Sequence, residues 1–463
     1  MQKYGIMRVF ANSAQSDWSG TDAYGVVSGD GDCPVVVENE KLTFDISEFP
    51  QMYYSSLDEY LAYPGRVNAE YTFYNPSDDT VRAVLMFPFG QSPDYGYTYD
   101  DAAETAYPAA DAENLEITVN GAPIEKKLRL TWAGGGEFDL EKGLERLRAE
   151  TDGDSFYSPD LPVVRYTYKI SGIDEEKYDA ASAGAVIRGD GTRTKLFFEN
   201  MSGYARKEDG AEISAWAQNG ETLSVYVLGE EPGEMPEWYF CSDGSMEERI
   251  DGEALLTGTE QLTMEEFVRM ICPSPDPAYE TDLYHAVTEA LTVYEQDCGV
   301  IMSDFFSSSR YLMDSLMRWY EYEITLGPGE RIVNRVEAPV YPAVQDADQT
   351  PEYTYTYLLS PAQTWNGFGT LEISVNTPYF MTESNMGEGE TRQEGYTFSF
   401  DSLPEGEFVF TLSESEQAAG EDGFLSHVLE DQIFPGAVSV LLGAAAITAV
   451  ILAISHRQKG KRR

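Results

Sequence analysis

Residues 67–87, VNAEYTFYNPSDDTVRAVLMF, alternate apolar and polar side chains on both sides of a short polar segment. A period of two is typical of half-buried β-strands, and the intervening NPSDD is rich in turn-forming residues. The stretch therefore predicts two antiparallel strands joined as a hairpin. The apolar face of this hairpin would be made by Val67, Ala69, Tyr71, Phe73, Val81, Ala83, Leu85 and Phe87.

The same alternation recurs along most of the chain. Asn120-Gly121 and Asn219-Gly220 each stand between two apolar runs, and Asn-Gly tolerates the positive φ of a tight type I′ hairpin turn. The sequence is therefore predicted to be mainly β, with antiparallel β-sandwich domains. Further strands are predicted at residues 115–119, 124–130, 164–170, 213–217, 223–228, 318–326, 331–340, 353–359, 371–375, 396–400 and 408–412.

Helical signals gather in one region. Thr263 and Glu266 form a capping box that opens a helix, and Pro273 ends it. A second helix is indicated by apolar residues at helical spacing, from Leu283 to Tyr294. We therefore expect an N-terminal β domain over 15–250, a small helical insert over 251–316, a membrane-proximal β-sandwich over 317–415 and a stalk over 416–432.

Residues 433–454 predict one C-terminal transmembrane helix. They contain 22 residues without a charge, enough for a helix of about 33 Å, and the basic tail 455–463 follows directly. Because basic flanks remain inside, the tail is expected in the cytoplasm and the preceding chain outside the cell. Residues 1–14 are interpreted as the remnant of a signal peptide, with the true start of the chain upstream.

The chain is strongly acidic, with 31 basic and 80 acidic residues and a net charge of −49. Such a charge repels nucleic acid and anionic lipid head groups, so no nucleic-acid partner is expected. Divalent cations or basic surfaces are more compatible partners, although a well-solvated exterior is the simpler explanation of the charge. Beyond the membrane contact through Ile433 to Ile454, the expected partner is a cell-envelope polymer or another surface protein.

Four cysteines, Cys33, Cys241, Cys272 and Cys298, are few for a chain of this length. Two disulfides are allowed in three connectivities, with Cys272 and Cys298 the most natural pair. Isolated buried thiols are the alternative. The spacings do not fit a zinc site.

Catalytic chemistry has little support in the sequence. His285 shares a helix face with Asp282 and Glu289, which would suit a metal cluster, although a solvated histidine is the simpler interpretation. Glu237 is the acid set among aromatic residues, beside Trp238 and Tyr239, in a way that would suit a sugar. No catalytic or cofactor-binding residue is predicted.

Calcium is the one metal that the acidic surface would suit, since it takes six to eight oxygen ligands. Neither the loop over 94–113 nor GDGD at 29–32 has EF-hand spacing, so we expect no cofactor and keep calcium as an alternative. Its candidate ligands are Asp94, Asp100, Asp101, Glu104, Asp111 and Glu113.

Three segments, WSGTDAYGVVSGDGDCPVVVENEKLTFDI (18–46), VNAEYTFYNPSDDTVRAVLMFPFG (67–90) and YLLSPAQTWNGFGTLEISVNTP (357–378), carry a resemblance. They are similar to a group of exported bacterial proteins of unknown function that are β-rich and often membrane-anchored. The resemblance implies location and architecture and transfers no catalytic residue.

Three functions follow as hypotheses. The first is a membrane-anchored surface protein with a binding or structural role. The alternatives are a surface polysaccharide hydrolase that uses paired carboxylates and a sensor subunit that needs a membrane partner. A flat, loop-decorated sandwich would favour the first, and a deep acidic cleft lined by Trp or Tyr would favour the hydrolase.

Overall fold

A computed structural model describes residues 17–18, 23–24, 26–28, 33–54, 56–90, 93, 115–133, 140–148, 156–233, 236–273, 277–306, 312, 315–345 and 351–416. The predicted signal remnant 1–14, the span 433–454, the tail 455–463 and all of the predicted stalk after Glu416 lie outside these ranges. Within the ranges, no helix has both the length and the apolar character needed to cross a bilayer.

The described chain is mainly β, as predicted, and its strands form three consecutive groups. The first comprises β1 (Asp17–Trp18), β2 (Ala23–Tyr24), β3 (Val27–Ser28), β4 (Val36–Asp45), β5 (Arg66–Tyr74), β6 (Val81–Gly90), β7 (Glu116–Val119), β8 (Ala122–Pro123) and β9 (Lys127–Trp132). The second comprises β10 (Pro162–Ser171), β11 (Ala181–Arg188), β12 (Thr194–Phe198), β13 (Met201–Lys207), β14 (Gly210–Ala217), β15 (Thr222–Gly229), β16 (Trp238–Cys241), β17 (Arg249–Ile250), β18 (Glu253–Thr263) and β19 (Val300–Ile301).

The third group comprises β20 (Leu316–Leu326), β21 (Arg331–Pro339), β22 (Ala343–Gln345), β23 (Glu352–Leu358), β24 (Phe368–Asn376), β25 (Phe380–Ser384), β26 (Glu390–Arg392), β27 (Gly395–Phe400) and β28 (Phe408–Ser413). The α-helices are α1 (Leu57–Leu61), α2 (Leu140–Arg148), α3 (Met264–Ile271) and α4 (Glu280–Tyr294). Both predicted helices are confirmed, and the capping box between Thr263 and Glu266 is formed at the start of α3.

Strands of the first and third groups pair with each other and build the main sandwich. Its described sheets have the orders β26-β27-β24-β4-β5-β21-β7-β8, β3-β6-β20-β9 and β1-β22-β23-β28-β25, with β2 beside β23. Aromatic side chains fill the space between sheets; Phe44 on β4 lies 5.9 Å from the ring of Tyr357 and 5.2 Å from that of Phe410.

The second group pairs only within itself, in the sheet orders β18-β10-β15-β12-β19 and β13-β14-β11-β16-β17. We call this unit the inserted sandwich, since it interrupts the main one. The boundary expected at 250 therefore cuts through the inserted sandwich, since β18 pairs with β10, whereas the boundary expected at 316 lies where β20 of the main sandwich begins. Strand pairing is non-local here, whereas the boundaries were drawn from local changes in pattern.

The hairpin predicted for residues 67–87 is wrong, although both of its strands exist. β5 pairs with β4 and β21, whereas β6 pairs with β3 and β20 in another sheet. The turn after Tyr74 therefore carries the chain between sheets, and so does the turn between β20 and β21. Buried Asn75 ties the two crossovers together by donating hydrogen bonds to the carbonyls of Leu326 (3.2 Å) and Gly327 (3.0 Å).

The two Asn-Gly turns differ. Asn120-Gly121 closes the predicted turn between β7 and the two-residue β8, with φ of 50° and 77°. The strand predicted at 124–130 does not return beside β7, because it corresponds to β9, which pairs with β20 in another sheet. Asn219-Gly220 instead joins β14 and β15, which belong to different sheets, so that predicted hairpin is wrong. The Asn219 side chain bonds across to the backbone of Ile173 (3.0 and 2.8 Å), and these contacts fix the crossover.

Helices α3 and α4 lie between the two sandwiches. The ring of Phe267 on α3 is 5.2 Å from that of Tyr226 on β15, and Tyr294 on α4 is 6.0 Å from Trp132 on β9. Arg129 on β9 donates hydrogen bonds to both carboxylate oxygens of Asp282 on α4 (2.9 and 3.1 Å). In the described part of the chain, the helical layer of α3 and α4 therefore separates the two sheets of the inserted sandwich from the sheets of the main sandwich.

Candidate functional site

The outer face of the inserted sandwich presents an exposed tryptophan on a regular sheet. Along β14, alternate residues such as Ile213 and Ala215 are buried in the core, so Glu212, Ser214 and Trp216 point outward. The Trp216 side chain is 51% exposed. An indole offers a large, rigid surface with one hydrogen-bond donor, and such rings are common anchors in binding sites.

Tyr239 lies flat against this sheet because β11 has no side chain beneath it. Gly184 on β11 pairs with Ser214 on one side and with Tyr239 on the other. A Cβ atom at Gly184 would come within 2.5 Å of both Cζ of Tyr239 and Cε of Met246. The glycine therefore allows an aromatic ring and a thioether to cover the centre of the sheet.

Glu212 fixes the far end of the Tyr239 ring. The tyrosine hydroxyl donates to one carboxylate oxygen of Glu212, and Lys207 forms an ion pair with the other. Burial raises the pKa of Glu212, but the bonds from Lys207 and Tyr239 outweigh it and lower that pKa overall. Burial and the Glu212 carboxylate raise the pKa of Tyr239 to about 12, so the hydroxyl remains a donor at neutral pH.

Arg249 covers the outer side of the same ring. Its guanidinium carbon lies 3.2 Å from the centre of the Tyr239 ring, a cation–π arrangement. Arg249 is on β17, where it pairs with Cys241 on β16. Cys241 pairs in turn with Ser182 on β11, and Ser182 pairs with Trp216 on β14, so the four residues form one row across the sheet. We call the surface formed by Glu212, Trp216, Tyr239, Met246 and Arg249 the Trp216 face.

The loop at 242–248 folds back over this face. Asp243 accepts hydrogen bonds from the backbone nitrogen (2.9 Å) and hydroxyl (2.6 Å) of Ser245, and these bonds lower its pKa. Ser182 donates to the sulfur of Met246 (3.0 Å), and Gly244 lies beside the Trp216 ring, where a Cβ atom would come within 3.5 Å of it. The loop is therefore held in place without covering the indole.

The structure separates the aromatic trio that the sequence picked out around Glu237. Glu237 is exposed, whereas Trp238 packs into the core with its ring 5.2 Å from that of Tyr168. Tyr239 alone lies on the Trp216 face, where its carboxylate partner is Glu212. Glu212 and Trp216 were missed, although the alternation in EISAWA (212–217) already indicated that both point away from the core.

The metal cluster considered as an alternative around His285 does not form. Asp282 is buried against Arg129, and Glu289 binds Arg146 and Lys142. His285 is half-buried rather than fully solvated, with its ring 6.2 Å from that of Tyr284. Among the described residues, no group of three or more His, Cys, Asp or Glu side chains is arranged to hold a metal.

The calcium candidates Asp94, Asp100, Asp101, Glu104, Asp111 and Glu113 lie outside the described residues. All four cysteines are free thiols, so the bridge between Cys272 and Cys298 is not formed. Burial raises the pKa of Cys272 to about 11, which makes it a poor nucleophile.

One cavity lies between α3 and α4, against Cys272 and Tyr284. Its volume of about 140 Å³ is below the roughly 300–1,000 Å³ typical of small-molecule sites. Arg269, Glu265 and Glu280 line its rim, and Arg269 forms an ion pair with each of the two glutamates. This cavity is therefore a weaker candidate than the Trp216 face.

A buried carboxyl lies in the core of the main sandwich. An irregularity between Val37 and Asn39 shifts β4 so that Glu40 faces inward, where it is 1% exposed. The hydroxyl of Tyr357 donates to one oxygen of Glu40 (3.4 Å) and lies 3.0 Å from that of Tyr71. The second oxygen has no hydrogen-bond partner among the described residues. Burial, only partly offset by the tyrosines, raises the pKa of Glu40 to about 7.

Neither a protein-family model nor a curated protein sequence matches the chain. A solved structure from Legionella pneumophila, described as a "putative nutrient binding protein", aligns with 86% of this chain and 72% of its own length. Its sequence identity is 8% and its TM-score is 0.33. A likeness at this level supports no inference about the fold or ligand of this chain.

Proposed function

We propose that this protein is a non-catalytic binding protein of the bacterial cell surface, anchored through residues 433–454, whose Trp216 face holds a cell-envelope polymer. The observation that carries the proposal is the half-exposed indole of Trp216 on a strand that is hydrogen-bonded into a sheet. Burying such a ring against the flat side of a sugar removes apolar surface from water at little entropic cost, because Trp has only two side-chain torsions.

The surroundings of Trp216 suit an extended ligand. Tyr239 and Met246 lie flat over Gly184, and Glu212 and Arg249 place polar groups at the border of this apolar surface. A few polar groups around an apolar platform are typical of sites that orient a ligand. Each Glu212 oxygen has further lone pairs to accept hydroxyl groups.

The hydrolase alternative receives less support. A glycosidase needs two carboxyl groups placed across one bond, one of them protonated. On the Trp216 face, Glu212 is paired with Lys207 and has a lowered pKa, so it is a poor proton donor.

Binding is tested by co-sedimenting the full chain, in detergent, with purified bacterial cell walls. Trp216→Ala should weaken binding by about thirtyfold or more, as expected for an anchor worth at least about 2 kcal/mol. Phe380→Ala, which removes a 42% exposed aromatic ring from the main sandwich, is the matched control and should bind normally. Equal binding by both variants would rule out the Trp216 face.

The location is tested separately. Protease added to intact cells should remove the chain up to about residue 432 and leave a small anchored fragment that carries the basic tail. Protection of the whole chain in intact cells, with digestion after lysis, would refute the proposed topology.

A further inference from the structure

Arg249 differs from other arginines of this acidic chain in what its guanidinium contacts. Arg331 binds both oxygens of Glu38 (2.7 Å each), and Arg269 pairs with Glu265 and Glu280. The guanidinium of Arg249 instead stacks on Tyr239 and makes no hydrogen bond or close ion pair with a residue that the structure describes, although its charge helps to lower the pKa of nearby Glu212. Stacking uses the face of the guanidinium and leaves the donors along its edge to solvent.

Resting on the proposed function, we infer that the ligand of the Trp216 face is a glycan that carries carboxylate groups, one of which binds Arg249. The guanidinium edge matches a carboxylate with two parallel hydrogen bonds, and stacking on Tyr239 already fixes its plane. A pre-oriented fork loses less freedom on binding than a mobile one.

Trp216 and Arg249 approach one ligand from different strands. Trp216, Ser182, Cys241 and Arg249 stand opposite one another on four adjacent strands, so about 14 Å separates the backbones of Trp216 and Arg249. The Arg249 side chain reaches back over the ring of Tyr239, which lies over Gly184 on β11, so the guanidinium is nearer to the indole than the two backbones are to each other. One glycan can therefore contact both side chains.

A peptide carboxylate fits this surface less well. Extended peptides bind sheets by adding a strand at an edge, where backbone groups are free. The edge strand on the Arg249 side is β17, whereas Trp216 is on β14, an inner strand three positions away. A peptide added at that edge would therefore lie beside Arg249 and away from the indole, whereas a glycan that lies across the face can contact both side chains.

Calorimetry on the full chain with two probes tests the inference: a linear uronic-acid hexasaccharide and the same hexasaccharide after reduction of its carboxyl groups. The acidic probe should bind at least about tenfold more tightly, since a hydrogen bond to a charged group has that effect. Arg249→Gln and Arg249→Lys should both abolish this preference, because lysine keeps the charge and loses the fork.

Arg206→Gln removes another exposed arginine of the same sheet, one that pairs with Asp297, and should keep the preference. Trp216→Ala should weaken both probes equally. If the reduced probe binds as tightly as the acidic one, or if neither binds while cell walls still do, the inference fails and the proposed function stands. Tighter, Arg249-dependent binding of a short peptide with a free C-terminal carboxylate would also overturn it.

Discussion

Replacing Glu40 by Gln should remove a pH-dependent loss of stability from the core of the main sandwich. The carboxyl is 1% exposed, and its pKa rises from the ordinary 4.5 to about 7. The folded state therefore holds a proton that the unfolded state releases between these two values. The contribution of Glu40 to the unfolding free energy is therefore greatest below about pH 4.5, decreases as the pH rises towards 7, and no longer changes above that pH.

The magnitude follows from the pKa difference. A rise from 4.5 to about 7 corresponds to about 3 kcal/mol of unfolding free energy, at about 1.4 kcal/mol for each unit. Glutamine cannot ionise, so Glu40→Gln should be free of this loss. The new amide has donors without partners in the core, so it lowers the unfolding free energy of the variant by an amount that does not depend on pH. This amount cancels when the change in unfolding free energy with pH is compared between the two proteins.

The assay is urea unfolding of both proteins at pH 4.5, 5.5, 6.5, 7.5 and 8.5. Trp365, which donates to the backbone oxygen of Val26 (2.9 Å), provides a fluorescence signal close to the site, since Val26 also donates to Tyr71 (3.1 Å). The stability of Glu40→Gln minus that of the wild type should rise by about 3 kcal/mol and level off above pH 7. Exposed Glu394→Gln is the control. A difference that stays within about 0.5 kcal/mol over this range would refute the reasoning.

Three further outcomes are expected. Asn75→Ala should lower the unfolding free energy by about 2–3 kcal/mol, because the buried carbonyl of Leu326 and the partly buried carbonyl of Gly327 lose their donor, and a loss below about 1 kcal/mol in urea would contradict this. Asp282→Ala should lower the unfolding free energy by about 1–3 kcal/mol, because Arg129 loses its bidentate partner but keeps its ion pair with Glu321, and an unchanged urea midpoint would contradict this. Iodoacetamide should label Cys272 in the native protein more slowly than Cys33, and denaturation should expose four free thiols by mass; a mass deficit from disulfides would contradict this.

Local patterns in the sequence predicted the elements better than their partners. The period of two located β5, β6 and β10, and the capping box at Thr263 located α3. The same alternation, however, is expected whether a strand pairs with the preceding strand in one sheet or belongs to a different sheet. The crossover after Tyr74 is fixed by Asn75 and its contacts near residue 327, which no local window contains.

The candidate site shows the same limit. Alternation along β14 indicates an outward Trp216, but the platform also needs Gly184, Tyr239 and Arg249 in register on three other strands. Their proximity depends on the order of strands in the sheet. The sequence placed Glu237, Trp238 and Tyr239 together because they are consecutive, whereas successive strand residues point to opposite faces.

The nesting of one sandwich inside the other has a consequence for synthesis of the chain. A chain that emerges from its N-terminus presents β5 about 260 positions before its partner β21 arrives. At about 5–20 residues per second, this interval lasts roughly 10–50 seconds, during which an apolar strand edge is open to other chains. The inserted sandwich can close on itself within the same interval. A chaperone that shields the first ninety residues should therefore raise the yield of folded protein more than one directed at the middle of the chain.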